Sequence, residues 1–129
     1  MDLSATKACH CLAARRRARE LTRLYEKKLR RHGLRATQFS VLAALALKGP
    51  TPVSGLAEFL SLERTSLTRN TALLERNGWV KSGRSEDAPK RLLRLTAAGR
   101  RKLEAAFPAW KQVQSLLDRE VAQPATEAR

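Results

Sequence analysis

Two stretches hold the side chains whose types and spacing suit chemistry: ERTSLTRNTALLER at residues 63–76 and ACHC at residues 8–11. In the first, Thr65, Thr68, Arg69, Ala72 and Arg76 share one side of a helix with about 3.6 residues per turn, and Leu67, Thr71 and Leu74 share the other. The polar side pairs short hydroxyls with guanidinium groups and contains no acid, so its natural partner is an anion. Arg69 has the fork geometry to grip a guanine edge with paired hydrogen bonds, while Ser66, Thr68 and Asn70 have the reach for bases or phosphates. Arg64 and Thr65 stand near the helix start, where free backbone N–H groups already favour a phosphate. Asn70 also has a purely structural alternative as a partly packed residue, and the whole face has one as an ordinary solvated surface.

In ACHC, Cys9 and Cys11 flank His10, with Lys7 and Arg15 within about a turn. Thiols so placed can react with peroxides or electrophiles, or bind soft metals. The bland alternative is that Cys11 continues an apolar stripe as a small buried residue. A tetrahedral metal site is disfavoured, because side chains two apart on a helix point to nearly opposite sides and His32 is remote. We therefore expect no metal and no cofactor. Neither His10 nor His32 has an identifiable catalytic partner, and no GxSxG, phosphate-binding glycine loop or spaced carboxylate motif occurs. The expectation is a protein that is not an enzyme.

The whole chain narrows the anion. Its 129 residues suffice for one domain with appended helices, and 26 Lys and Arg against 12 Asp and Glu leave a formal charge of +14. Such a chain seeks polyanions. The longest apolar run, VLAALAL at Val41–Leu47, is too short to span a bilayer, and the N-terminus shows no signal-peptide segment, so a cytoplasmic location without membrane contact is expected. Two cysteines one residue apart argue against a disulfide-stapled scaffold. Aromatics are only 5% of residues, which argues against the stacking platforms that hold single strands and makes duplex DNA the leading polyanion.

Those residues must be carried by elements. Leu3–His32 lacks proline and glycine, and its apolar positions Cys11, Ala14, Ala18, Leu21, Tyr25 and Leu29 step by three and four, predicting one long helix ended by Gly33. The arginines and lysines on its other faces read as solvated surface. Thr37 is expected to cap a second helix that stops at Lys48-Gly49-Pro50. Pro52 and Val53 fit a short extended piece, and Ser54 is expected to cap a third helix with Leu56, Phe59 and Leu60 facing inward. The helix bearing Arg69 follows after a tight turn, which is the form of a helix-turn-helix. Trp79–Gly83 and Arg91–Leu95 then read as a hairpin around SEDAPK, a wing with Arg84, Lys90 and Arg91 near its tip. Thr96 should cap a final helix whose seam of Leu103, Ala106, Trp110, Val113 and Leu117 suggests helix-to-helix association, with a kink or restart at Pro108. AQPATEAR beyond it reads as disordered.

The predicted fold is thus mostly α with a small β-hairpin wing: a winged helix-turn-helix at 34–96, an N-terminal dimerisation helix at 1–33, a C-terminal one at 97–120 and a disordered tail at 121–129. GLRATQFSVLAAL, GLAEFLSLERTSLTRNTALLERNGWV and GRSEDAPKRLLRLTAAG, in this order, resemble the successive signatures of the MarR family of winged-helix regulators, over roughly Cys9–Leu117. The resemblance implies a homodimer with interlocked terminal helices, a recognition helix in the major groove and a wing in the minor groove. It also implies repression relieved by a small ligand or an oxidant, and one branch of the family senses hydroperoxides through a cysteine early in the first helix. The chain departs from the family pattern at Ala88 and Pro89, where the wing usually has an arginine two residues after its aspartate, here Asp87. It departs again at Glu63, a longer residue than the usual capping aspartate, and in its tyrosine-poor cysteine surroundings. Few residues follow the fifth helix, where relatives usually add a short helix to the dimer interface.

The resulting expectation is a sequence-specific DNA-binding regulator, a repressor on a pseudo-palindromic operator, with an unidentified effector. The alternative is a non-specific architectural DNA- or RNA-binding basic protein.

Overall fold

The computed structural model describes residues 1–84 and 90–122. Its elements run α1 (His10–Leu29), α2 (Ala36–Lys48), β1 (Thr51–Pro52), α3 (Val53–Leu60), α4 (Arg64–Arg76), β2 (Val80–Arg84), β3 (Arg91–Leu95) and α5 (Ala97–Ala122), with short 3₁₀ turns at Ser4–Ala8 and Arg30–His32. The architecture is the expected helical fold with a wing. None of the described helices is long and apolar enough to cross a membrane.

The first helix is not continuous from Leu3. Cys9 sits in extended backbone (φ −61°, ψ 119°) and α1 begins at His10. The preceding turn is held by local bonds, the Ser4 N–H to Asp2 Oδ1 at 2.9 Å and the Thr6 hydroxyl to the Leu3 carbonyl at 2.7 Å. No residue of that turn is buried, so packing gives nothing to extend the helix. At the other end Gly33 adopts the left-handed conformation (φ 69°) and stops the helix as expected.

Capping differs from the sequence expectation at two starts. Arg35, not Thr37, is the N-cap of α2. The Arg35 N–H donates to Gln38 Oε1 at 2.9 Å, and the Ala36 N–H donates to Glu26 Oε1 of α1 at 3.3 Å. A tertiary carboxylate thus does what a local hydroxyl was expected to do. Pro52, not Ser54, precedes α3, because Thr51 and Pro52 are drawn into a strand that pairs with Leu93 and Leu92. The sheet accordingly has three strands in the order β1-β3-β2, with the proline on an edge. The hairpin expectation holds, with β2 displaced by one residue to Val80–Arg84.

Leu29, Leu42, Leu45, Leu56, Leu67 and Leu74 are fully buried and bind α1–α4 into one core. Phe59 does not join it. It is 52% exposed, with Lys48 Nζ 4.7 Å from its ring centroid, while Ala57 takes the inward position. Thr96 caps α5 as expected, accepting the Gly99 N–H at 3.0 Å. The helix runs without restart through Pro108 and includes Val121 and Ala122, which were expected in the tail; residues 123–129 of that tail lie outside the described residues.

The α5 seam closes on its own chain. Ala106 and Val113 are buried, and Trp110 stacks on Tyr25 of α1 and Phe39 of α2 with ring centroids 6.3 and 5.8 Å away. The Tyr25 hydroxyl donates to Gln114 Oε1 at 2.5 Å, and burial, then the Asp118 charge, raises its pKa above the ordinary tyrosine value. The apolar seam that suggested dimerisation is therefore largely occupied by α1 and α2 of the same chain. What stays open on these helices, among the described residues, is Leu24, Phe107, Leu116 and Val121, together with the first half of the α1 stripe.

Candidate nucleic-acid interface

Helix α4 divides as its spacing predicts. Leu67, Thr71 and Leu74 are buried, and Arg64, Thr65, Ser66, Thr68, Arg69, Ala72 and Arg76 are exposed. It starts from a tight turn in which Ser61 takes the left-handed conformation (φ 53°), an uncommon state for a non-glycine residue. Its N-cap, Glu63, makes no side-chain capping bond, so the first-turn N–H groups are left without a side-chain acceptor.

Not every polar side chain on α4 is equally free. The Thr68 hydroxyl donates to the Arg64 carbonyl at 2.8 Å, and Asn70 Nδ2 donates to the Ser66 carbonyl at 2.9 Å. Thr68 thus presents an acceptor and a methyl group outward, and half-buried Asn70 keeps its carbonyl oxygen. Arg69 and Arg76 form no ion pair among the described residues, where the salt bridges are Arg17–Glu20, Arg17–Glu120 and Glu26–Arg35.

The wing is tied to this helix. Glu75 Oε1 of α4 accepts the Ser82 N–H of β2 at 2.9 Å, which sets the distance between reading helix and hairpin. Sequence reasoning missed Glu75, because the bond spans elements and leaves no local motif. Across the hairpin Lys81 lies opposite Arg94, and Arg84 lies opposite Arg91. Like charges directly opposed on a sheet destabilise it, so a polyanion laid along the wing would relieve the repulsion. Arg91 is oriented by a hydrogen bond from its Nη2 to Ser82 Oγ at 3.1 Å. Ser85–Pro89, including the Asp87-Ala88-Pro89 departure, lie outside the described residues.

The nine candidate DNA-contacting residues fall on two joined elements. Arg64 from α4 and Lys90 and Arg91 from the wing also line one cleft, a proximity the linear sequence did not reveal. Gly99 fixes the wing from behind, since a Cβ there would lie 2.0 Å from the Trp79 carbonyl oxygen.

The cysteines are far simpler. Cys9 and Cys11 are both free and exposed, so the reading of Cys11 as a small buried residue does not hold within this chain. The stripe fails there because α1 projects past the elements that cover Leu21, Tyr25 and Leu29. Among the described residues no group of three His, Cys, Asp or Glu side chains is disposed to hold a metal.

Comparison with known proteins matches residues 34–88 to the sequence model of the MarR family. The uncharacterized HTH-type transcriptional regulator YwoH of Bacillus subtilis strain 168 is 33% identical over 87 residues, a match covering 67% of this chain and 64% of that protein. The chain thus spans a little under two thirds of that relative. The M. tuberculosis transcriptional regulator MosR superposes with a TM-score of 0.81 at 36% identity, covering 94% of this chain and 87% of MosR. MosR in complex with DNA gives 0.76 at 41% identity, over 84% and 80% of the two chains. Reduced AbfR bound to DNA, a protein of Staphylococcus epidermidis, gives 0.72 at 30% identity, over 87% and 80%.

Proposed function

The chain belongs to the MarR family, and from that membership and the acid-free face of α4 we propose that it is a sequence-specific regulator of transcription that binds duplex DNA. The observation that carries the reading is the exposed Thr65, Thr68, Arg69 and Arg76 row backed by buried Leu67, Thr71 and Leu74. A groove-reading helix needs that combination, because only a face anchored from behind can place side chains against base edges. The DNA complex of MosR, 41% identical, supports it.

Arg69 reads a base edge, with Ser66, Thr68 and Asn70 beside it. Arg64 and Thr65 meet phosphate at the helix start, and Arg84, Lys90 and Arg91 position the wing on the backbone. The winged unit spans 34–96, and the terminal helices at 1–33 and 97–120 join two copies through Leu24 and Leu116, which their own chain leaves exposed. Two copies imply a pseudo-palindromic operator. The protein acts in the cytoplasm as a repressor, carries no enzymatic activity, and is released by a small ligand or by oxidation of Cys9 and Cys11. The exposure of both thiols and the likeness to AbfR, known in a reduced DNA-bound form, support the thiol input.

Selection of bound sequences from a random duplex pool tests the reading. A recovered palindrome preferred over random duplex by roughly 10³ is expected of a regulator. Uniform binding of all duplexes and of RNA would leave the non-specific architectural protein instead. Operator affinity of reduced, peroxide-treated and Cys11→Ser protein then tests the input: equal values in all three would remove thiol sensing.

A further inference from the structure

Arg64, Lys90 and Arg91 are far apart in sequence and belong to different elements, yet they border a single cleft of about 350 Å³ together with Pro52, Val53 and Ser54. The fold makes this meeting unavoidable. Pairing of Thr51 and Pro52 with Leu93 and Leu92 brings the β1–α3 junction beside the base of the wing, and the short turn after α3 returns the start of α4 to the same place. All three cations are exposed, so their charged ends are not committed to the core. Ser82 already holds one of them, Arg91, by its guanidinium. Ser54, the second residue of α3, lines the same cleft.

From this convergence we infer that the cleft binds one backbone phosphate of duplex DNA, gripped jointly by Arg64, Lys90 and Arg91, so that recognition helix and wing are locked to the same phosphodiester. The inference rests on the DNA-binding reading above and adds to it a shared anchor between elements otherwise credited with separate contacts. Three cations around one open cleft repel each other until an anion of matching size enters. A phosphodiester is a monoanion with two free oxygens, suited to a guanidinium fork on one side and an ammonium on the other. A shared phosphate also fixes the angle at which α4 enters the groove relative to the wing, which two independent contacts would leave adjustable. Ser54 adds a neutral hydrogen bond to the same group.

Pairing protein variants with single methylphosphonate substitutions tests the arrangement, using the full chain and the duplex recovered by selection. A methylphosphonate removes the charge of one phosphate without moving its neighbours. On unmodified duplex, Arg64→Ala, Lys90→Ala and Arg91→Ala should each weaken binding roughly tenfold, the scale of one charge-assisted hydrogen bond. On duplex neutralised at one phosphate per half-site, the same position for all three, each should change affinity by less than about twofold. Circular dichroism of these surface variants should match the parent chain. If the three variants lose their effect at three different phosphates, the cations act separately and the shared cleft is wrong. If none weakens binding while Arg69→Ala still alters base preference, the cleft is unused and the DNA reading survives alone. Failure to select any preferred duplex would remove the regulator reading, and the shared anchor with it.

Discussion

Helix α4 and the first half of α1 look alike as sequences, each a basic helix with an apolar stripe, and the structure treats them oppositely. Leu67, Thr71 and Leu74 of α4 are buried, so its cationic face is held at a fixed angle. Cys11, Ala14 and Ala18 of α1 remain exposed, and burial begins only towards Leu21, Tyr25 and Leu29. Periodicity therefore tells which side of a helix is apolar but not what covers it. An arginine on an anchored helix can read a groove, whereas one on an uncovered helix contributes only to the general field.

The largest expected effect breaks the anchoring of α4. Leu67 is fully buried, so Leu67→Ala should lower stability by about 3 kcal/mol, a loss of transfer energy plus the cavity left behind. Ala14→Ser on α1, an exposed position, should change the stability of the isolated subunit by less than about 0.5 kcal/mol. Chemical denaturation of both variants checks the contrast. A comparable loss at Ala14 would mean that α1 is covered over its whole length.

Next comes the joint between reading unit and α5. Gly99→Ala places a methyl group against the Trp79 carbonyl oxygen and the Leu95 side chain, at 2.0 and 2.8 Å, so the side chain and the Trp79 backbone must both give way. Overpacking of this kind should destabilise by about 2 kcal/mol. Because the Thr96 hydroxyl that caps α5 also donates to the Gly78 carbonyl at 2.6 Å, the strain passes to the turn joining α4 to the wing. Operator affinity should fall along with thermal stability; a fall in neither would show that the contact relaxes freely.

Arg69→Ala should cost about 1 to 3 kcal/mol of operator binding and relax preference at one position of each half-site, with folding stability unchanged. The same substitution at Arg91 should weaken all duplexes alike and flatten the salt dependence by about one charge per subunit. Affinities on operator and random duplex across a salt series separate the two. Altered base preference on loss of Arg91, with none on loss of Arg69, would reverse their roles.

The difference between these regions also explains what could be read from the sequence. The split of α4 into polar and buried rows, the stop at Gly33, the Thr96 cap and the hairpin are all local, fixed by spacing or by a single residue's conformational preference. The Glu26 carboxylate at the α2 start, the pairing of Thr51 with Leu93 and the bond from Glu75 to Ser82 each join residues from different elements, and no local pattern announces them. Phe59 was misplaced for a related reason. An eight-residue helix is barely two turns, too short for its apolar pattern to fix which side faces in. The cleft of Arg64, Lys90 and Arg91 was invisible because it is a product of topology.

The smallest expected effect concerns the arginines of α1, and it bears most directly on the comparison. Arg16 and Arg19 are exposed and form no ion pair among the described residues, on a part of α1 that touches α5 through exposed Arg17, drawn toward Glu20 and Glu120 at 3.4 and 3.9 Å. Charges of this kind act on DNA through a field that salt screens within about 8 to 10 Å, not through fixed contacts. The double substitution Arg16→Ala with Arg19→Ala should therefore slow association slightly at low salt. At physiological ionic strength it should leave operator affinity within about twofold and the specificity ratio unchanged. Measuring both constants for this variant beside Arg91→Ala places a screened charge against an anchored one in the same chain. If the α1 variant instead loses affinity as steeply as Arg91→Ala and its salt slope flattens by a comparable amount, then α1 touches phosphates directly. The N-terminal helix would then be a third DNA-contacting element, held against the duplex by something its own chain does not supply.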